Sequence, residues 1–233
     1  KARWMMMHMR GQEGRAAIAA ARALQGKVTL REARHIEIIA LAFEGQGPKA
    51  FATLQEHLAE YPRDELPLFM ALGVFGLLGF SGRLDHREAE LAMLDKIKPH
   101  WGDDWLFQIF HGWALVESLQ DVTGGIAEIE RGLAQNPRNG WGAHALAHGY
   151  YEAGDWESGA SYVSGWLPEY DRRGQLHGHI SWHLALCELA RGNPNRAHEV
   201  YADAVKTTVT HGPQVISLAD PAAFLWRCKL YGT

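Results

Sequence analysis

The sequence predicts an all-α protein of antiparallel helix pairs laid side by side as a repeat, and three observations carry that expectation. Alternating apolar and polar runs rich in Val, Ile and Thr are almost absent, whereas Ala, Leu, Glu and Arg recur at helical spacing. Short Gly- or Asp-containing turns join the helices, as in Glu152-Ala-Gly154-Asp-Trp-Glu-Ser-Gly159 and Ala190-Arg-Gly192-Asn-Pro-Asn-Arg-Ala197. A small residue opens each second helix at Ala50, Ala89, Gly125, Gly159 and Ala197, at separations of 39, 36, 34 and 38 residues.

That period and turn chemistry are those of tetratricopeptide repeats, which stack as a right-handed superhelix. Their small residues recur because two helices approach closely only where side chains are short. Taken in order, a degenerate first pair is expected over Trp4 to Leu24. A second pair, with Ala50 opening its second helix, closes at Pro62, where a helix must stop. The third, Leu66 to Ile97, is again degenerate. It contains the longest uncharged apolar stretch, Leu66 to Phe80, which reads as a buried helix because it falls short of the roughly 20 residues of a membrane span. The fourth pair turns at Gln120 and closes at Pro137. The fifth has Leu146-Ala147 and Tyr150 before the Gly154-Asp155 turn, and the sixth has Leu184-Ala185 before Gly192, then Ala197, Tyr201 and Ala204. The expectation is one domain over residues 1–233, of about six pairs. Lys1 is not an initiator Met, and both ends, around Trp4 and from Ala222 to Tyr231, read as apolar helix. A central piece of a longer chain is therefore expected.

Composition narrows the function. With 23 Lys plus Arg against 27 Asp plus Glu, the formal charge of −4 supplies no basic field for nucleic acid or an anionic membrane. Two cysteines, Cys187 and Cys228, cannot build a disulfide framework, so a cytoplasmic protein is expected. Gly45-Gln-Gly47-Pro-Lys-Ala50 imitates a dinucleotide fingerprint but follows a helix pattern rather than a strand. There is no phosphate-loop lysine motif, no His-Glu-x-x-His and no Gly-x-Ser-x-Gly.

The 13 histidines are the anomaly, because nine of them fall between residues 100 and 211. Counting each repeat so that its turn residue is the fifteenth position sorts side chains by face. The second, fifth, sixth, ninth, twelfth and thirteenth positions line the concave groove, while the eighth and twentieth pack the pair internally. With Gly154 as reference the groove holds Trp141, His144, Ala145, His148, Tyr151 and Glu152. With Gly192 it holds His179, Trp182, His183, Leu186, Leu189 and Ala190. With Gln120 it holds Phe107, Phe110, His111, Ala114, Glu117 and Ser118.

His144 and His148 are four apart, as are His179 and His183, so each pair shares a helix face and could converge on one ion. Together with Glu117 they would suit a divalent transition metal such as Zn or Fe. Two other readings stand beside that one: packed histidines satisfied by neighbours in a polar seam, and a metal-free acid/base site in which His148, His183 and Glu117 are the catalytic candidates. Trp141 and Trp182 are either core or a stacking wall for a ligand. Cys187, beside Leu186, reads as buried filler rather than a nucleophile.

Asn136-Pro137-Arg138-Asn139, the run from Trp141 to His148, and His179-Ile-Ser-Trp182-His183-Leu-Ala-Leu resemble the tetratricopeptide repeat protein 38 family. Glu117, Asp220 and Leu225-Trp226-Arg227 also match it. The likeness runs over nearly the whole chain. It implies a repeat superhelix with a groove of His, Trp and acidic residues, and it implies no particular reaction. The family carries Glu three residues after the second His of the first pair, where this chain has Tyr151 with Glu152 next to it.

Two functions follow. One is a binding module whose concave groove, with Trp141, His144, His148, Tyr151, His179, Trp182, His183 and His111 as ligand-binding positions, holds a peptide, a protein, a small molecule or a second copy of the chain. The other is an enzyme, metal-dependent or using His as acid and base, with its active site in that groove.

Overall fold

The computed structural model describes residues 10–233. Trp4, and with it the opening of the expected first pair, lies outside the described residues. Among those described there are twelve α-helices and no strand. They fall into two compact units, Lys1–Asp103 and Asp104–Thr233.

In the first unit, α1 is Gly11–Arg22, α2 Leu30–Phe43, α3 Gly47–Glu60, α4 Glu65–Ala71 and α5 His86–Ile97. Helix α2 begins with a capping box: Glu32 N donates to Thr29 Oγ1 at 3.3 Å, and Thr29 N donates to Glu32 Oε2 at 2.8 Å. Pairing of α2 with α3 buries Ile38, Leu41, Ala50, Leu54 and Leu58. The expected buried helix over Leu66 to Phe80 does not form. Helix α4 stops at Ala71, Leu72 is extended (φ −84°, ψ 148°) and Gly73 is left-handed (φ 72°). The chain then folds back on the helix end, with Leu77 N donating to Met70 O at 2.9 Å. A Cβ at Gly76 would collide with the carbonyl oxygens of Ala71 and Leu72, so this close return requires glycine. Hydrophobicity alone misjudged the stretch. Three spaced glycines outweighed it, and Phe75 and Phe80 end exposed.

In the second unit, α6 is Trp105–Glu117, α7 Val122–Gln135, α8 Gly140–Glu152, α9 Trp156–Trp166, α10 His177–Ala190, α11 Pro194–Val200 and α12 Gln214–Tyr231. A π turn, Tyr201–Val205, extends α11. Side-chain caps open four of these helices: Asp104 accepts from Leu106 N and Phe107 N, Asp121 from Gly124 N, Asn139 from Gly142 N and Asp155 from Ser158 N. Left-handed glycines end α8 and α10. Asp155 N donates to Tyr150 O and Asn193 N to Glu188 O, and both bonds close the last helical turn.

The small residues expected to open the second helices, Ala50, Ala89, Gly125, Gly159 and Ala197, each stand fourth in α3, α5, α7, α9 and α11. Close approach is tightest between α6 and α7, where a Cβ on Gly112 would lie 2.6 Å from Gly125 O and a Cβ on Gly125 would lie 2.6 Å from Gly112 O. The α6–α7 turn differs from the others. Its left-handed residue is Leu119 (φ 58°) rather than Gln120, so this turn is one residue longer than those at Gly154 and Gly192. The expected register of α6 shifts by one as a result. Gly112 then aligns with Ala147 and Ala185 at the internal position, and Trp113 aligns with His148.

The faces of α8 and α10 that carry Ala143, Ala147, Ile180, Leu184 and Cys187 join Val163, Ala197 and Phe224 in one apolar core. Helix α12 contains Pro221, which removes one rung of the helical ladder. The Ser217 carbonyl left over accepts from Thr207 Oγ1 at 3.0 Å instead. No helix among the described residues is long and apolar enough to cross a membrane.

Candidate metal centre

Four helices of the second unit converge on one spot. Helix α8 contributes His144 and His148, α10 contributes His179 and His183, the last turn of α6 contributes Glu117, and α12 contributes Asp220. One ligating nitrogen from each of the four histidines lies within 4.8 Å of all the others. His144 Nε2 sits at the middle, 3.0 Å from His148 Nε2 and 3.0 Å from His179 Nε2. The His183 ring closes the fourth side, with its centroid 4.3 Å from that of His148 and 4.9 Å from that of His179.

Two of the rings are held from behind by carboxylates. His148 Nδ1 donates to Glu117 Oε1 at 2.8 Å, and His179 Nδ1 donates to Asp220 Oδ2 at 2.7 Å. In the neutral form of such a ring the bond keeps the hydrogen on Nδ1 and turns the Nε2 lone pair inward. His144 and His183 form the floor, 4% and 3% exposed. Burial, and next the neighbouring histidines, push both rings well below the ordinary histidine range, so both are neutral at pH 7.

The proton inventory of this set does not close. An imidazole nitrogen carries either one hydrogen or one lone pair. His144 Nε2 can therefore complete one linear hydrogen bond with the inward nitrogens of His148 and His179, but not two. The remaining 3.0 Å contact is left without a linear hydrogen bond of its own. In addition, His144 Nδ1 and both nitrogens of His183 are buried without a hydrogen-bond partner. Four imidazoles whose ligating nitrogens converge at one point are a donor set for a borderline Lewis acid.

Aromatic rings wall the cluster. Trp182 stacks on His179 at 5.4 Å and 11°, and meets His183 edge-on at 4.8 Å. Trp113 packs 5.3 Å from His144 and 6.1 Å from His148, and Trp141 lies 6.0 Å from His144. The Arg227 guanidinium lies over the Trp182 ring at 5.7 Å.

Of the residues expected in the groove, His144, His148, His179, His183, Glu117, Trp141 and Trp182 are brought together. His111 is not: its Nδ1 bonds Glu128 Oε2 of α7 at 2.5 Å and its ring stacks on Phe107. The longer α6–α7 turn is the reason, since it rotates His111 toward its own partner helix and brings Trp113 to the seam. Tyr151 packs against the apolar core rather than the histidines. Cys187 is fully buried, and burial pushes its thiol up to about 11, as expected for filler.

A second cluster lies in the first unit. Asp64 Oδ2 accepts from Arg31 Nε at 2.6 Å, His35 Nε2 at 2.6 Å and His57 Nε2 at 2.8 Å. Burial works to raise the Asp64 carboxyl, but these three bonds outweigh it and hold the group well below the usual carboxylate range. Here three donors meet one anion and the guanidinium already balances its charge, so the arrangement is a clamp between α2, α3 and the start of α4. Its histidines lie outside the dense run after residue 100. The signal was present all the same: counted from Gly45, His35 holds the same fifth position as His144. Asp220 and Arg227 carried no expected role, because nothing in spacing pairs them with a histidine and a tryptophan some 40 residues earlier.

No protein-family model matches the chain.

Proposed function

We propose that the four-histidine seam binds a divalent transition metal, zinc or iron, and that the second unit is the scaffold of a metal-dependent site. The observation that carries this reading is the unclosed proton inventory around His144 Nε2. A cation at the centre turns two competing contacts and the orphaned His183 nitrogen into ligand bonds. Ligand bonds of roughly 2.0 to 2.1 Å imply nitrogen separations of about 3.3 Å in a tetrahedral set, close to the two 3.0 Å contacts. Glu117 and Asp220 supply the outer carboxylates that commonly orient metal-bound imidazoles. His148 and His179 are the partly exposed members, so a metal here has its accessible side between them. A metal so held would supply Lewis-acid activation of a bound oxygen or water. Glu117 then acts on His148 as a positioning group.

The same reading takes the chain as a tetratricopeptide-like right-handed superhelix related to the tetratricopeptide repeat protein 38 family. Small residues fourth in each second helix, and Gly112, Ala147 and Ala185 at matching places in the first helices, support it. A groove for an extended peptide is less well supported, because Phe107, Phe110, Leu186 and Leu189 at the expected lining positions are buried.

Elemental analysis tests the proposal. After loading with Zn(II) or anaerobic Fe(II) and desalting, the chain should retain close to one equivalent, and His148→Ala with His183→Ala should retain almost none. Less than a tenth of an equivalent in the unaltered chain would overturn it.

A further inference from the structure

The histidine seam has acceptors in excess, but its rim is built the other way. Trp182 Nε1 and Trp113 Nε1 are buried hydrogen-bond donors without a partner, and both indoles touch the cluster. Buried indole N–H groups ordinarily find an acceptor. Arg227 stands on the same face of α12 as Asp220, two turns further on, so the helix that orients His179 also sets a cation over Trp182. Its NH1 donates only to Ala223 O, within its own helix at 3.3 Å, and no carboxylate among the described residues pairs with it. The nearby carboxylates of Glu117 and Asp220 are committed to the backs of two histidines. A cation and two unpartnered donors around a metal centre call for a ligand made of acceptors and negative charge.

We infer that the site takes a small ligand bearing an oxyanion, a carboxylate or a phosphate, received by Arg227 and an indole N–H beside the metal. The inference rests on the metal reading for the position of the ligand but not for its charge. Arg227 offers a planar fork to two oxygens, the geometry that matches either oxyanion. Arg227 and His179 both contact the Trp182 ring, which brings that fork to the neighbourhood of a partly exposed member of the cluster. The uncharged part of the ligand lies against Trp182, which favours a flat or apolar body. Arg227 is thus a specificity residue, and the imidazoles remain the metal ligands.

Cobalt-loaded protein gives the test, because Co(II) bound by imidazoles absorbs in the visible and reports changes in coordination. Inorganic phosphate and benzoate are titrated separately and followed by calorimetry and by the cobalt spectrum, in the unaltered chain, Arg227→Gln, Arg227→Lys and Trp182→Phe. At least one of the two anions should bind, and the stronger identifies the oxyanion type. Arg227→Gln should weaken it by about tenfold or more, the usual scale for a lost charge-assisted bond. Cobalt stoichiometry should be unchanged, Arg227→Lys should restore part of the affinity, and Trp182→Phe should cost less than Arg227→Gln. Equal anion affinity in the unaltered chain and both Arg227 variants overturns the inference, as does absence of binding by either anion. If the protein takes up no cobalt yet binds an anion in an Arg227-dependent manner, the metal reading fails and the oxyanion site stands.

Discussion

His144 Nε2 and His179 Nε2 lie 3.0 Å apart although 35 residues separate them in the chain. Neither ring could be moved to that point by its own helix alone. The contact exists because α8 and α10 pack through Ala143, Ala147, Ile180 and Leu184 on their other faces, which fixes the separation of the two axes. The chemistry of the seam is therefore set by apolar packing that contains no ligand at all.

Glu117→Gln and Asp220→Asn keep the shape of each side chain while removing the anion behind His148 and His179. Each should lower metal affinity by roughly 10- to 100-fold, the range found for outer carboxylates on metal-bound histidine. Competition against a chromophoric chelator measures this, and unchanged affinity in both variants would remove Glu117 and Asp220 from the site.

Metal-free protein should lose stability on the acid side of neutrality. Burial lowers the pKa values of His144, His183 and His57 in the folded chain below their ordinary value of 6.5. Between the two values the unfolded chain holds more protons than the folded one, so stability falls as pH drops from about 6.5 and is fully present above it. The urea midpoint should be lower at about pH 5.5 than at about pH 7.5. Replacing His144 and His183 by Gln should flatten that dependence, and an unaltered or rising midpoint at acid pH contradicts the assignment.

Asp64→Ala strands His57 Nε2, which is completely buried, and frees Arg31 and His35 from their common acceptor. Loss of that bond should cost roughly 1–3 kcal/mol of stability, read by urea unfolding. Metal uptake by the folded variant should match that of the unaltered chain, because Asp64 and the four-histidine seam belong to different units. A fall in metal stoichiometry at full folding would show that the two clusters are coupled.

Gly112→Ala introduces a methyl group where 2.6 Å separates the Cβ position from Gly125 O and 2.9 Å from Ile129 Cγ1. Helices α6 and α7 must part, at a cost of about 1–3 kcal/mol for overpacking. Glu117 ends α6, so metal affinity should fall along with stability. The same substitution at Gly165, where nothing lies near a Cβ, is the control.

Most of the helical plan and most of the site were legible because both depend on spacing. Helix pairs follow from period and turn residues, and His-x3-His puts two rings on one face wherever a helix forms. What spacing did not convey was register at a turn lacking glycine. Leu119 takes the left-handed conformation there, which moved His111 out of the seam and Trp113 into it. Nor could spacing convey pairings across helices, such as Asp220 with His179 or Asp64 with His35, which are products of packing. The apolar run after Leu66 misled for a third reason: transfer to the interior is a property of composition, while the return at Gly76 is a property of backbone space.

The four helices that meet at the histidine seam contribute through their faces and ends, and no loop residue takes part. A site on a mobile loop exchanges its ion as fast as the loop opens. Here the four histidines and the two carboxylates are anchored on α6, α8, α10 and α12, so these groups separate from one another only as neighbouring helices part. On the proposed metal reading, an exchange that waits for those groups to separate is a clock for the parting of these helices, and its rate reports local unfolding of the second unit.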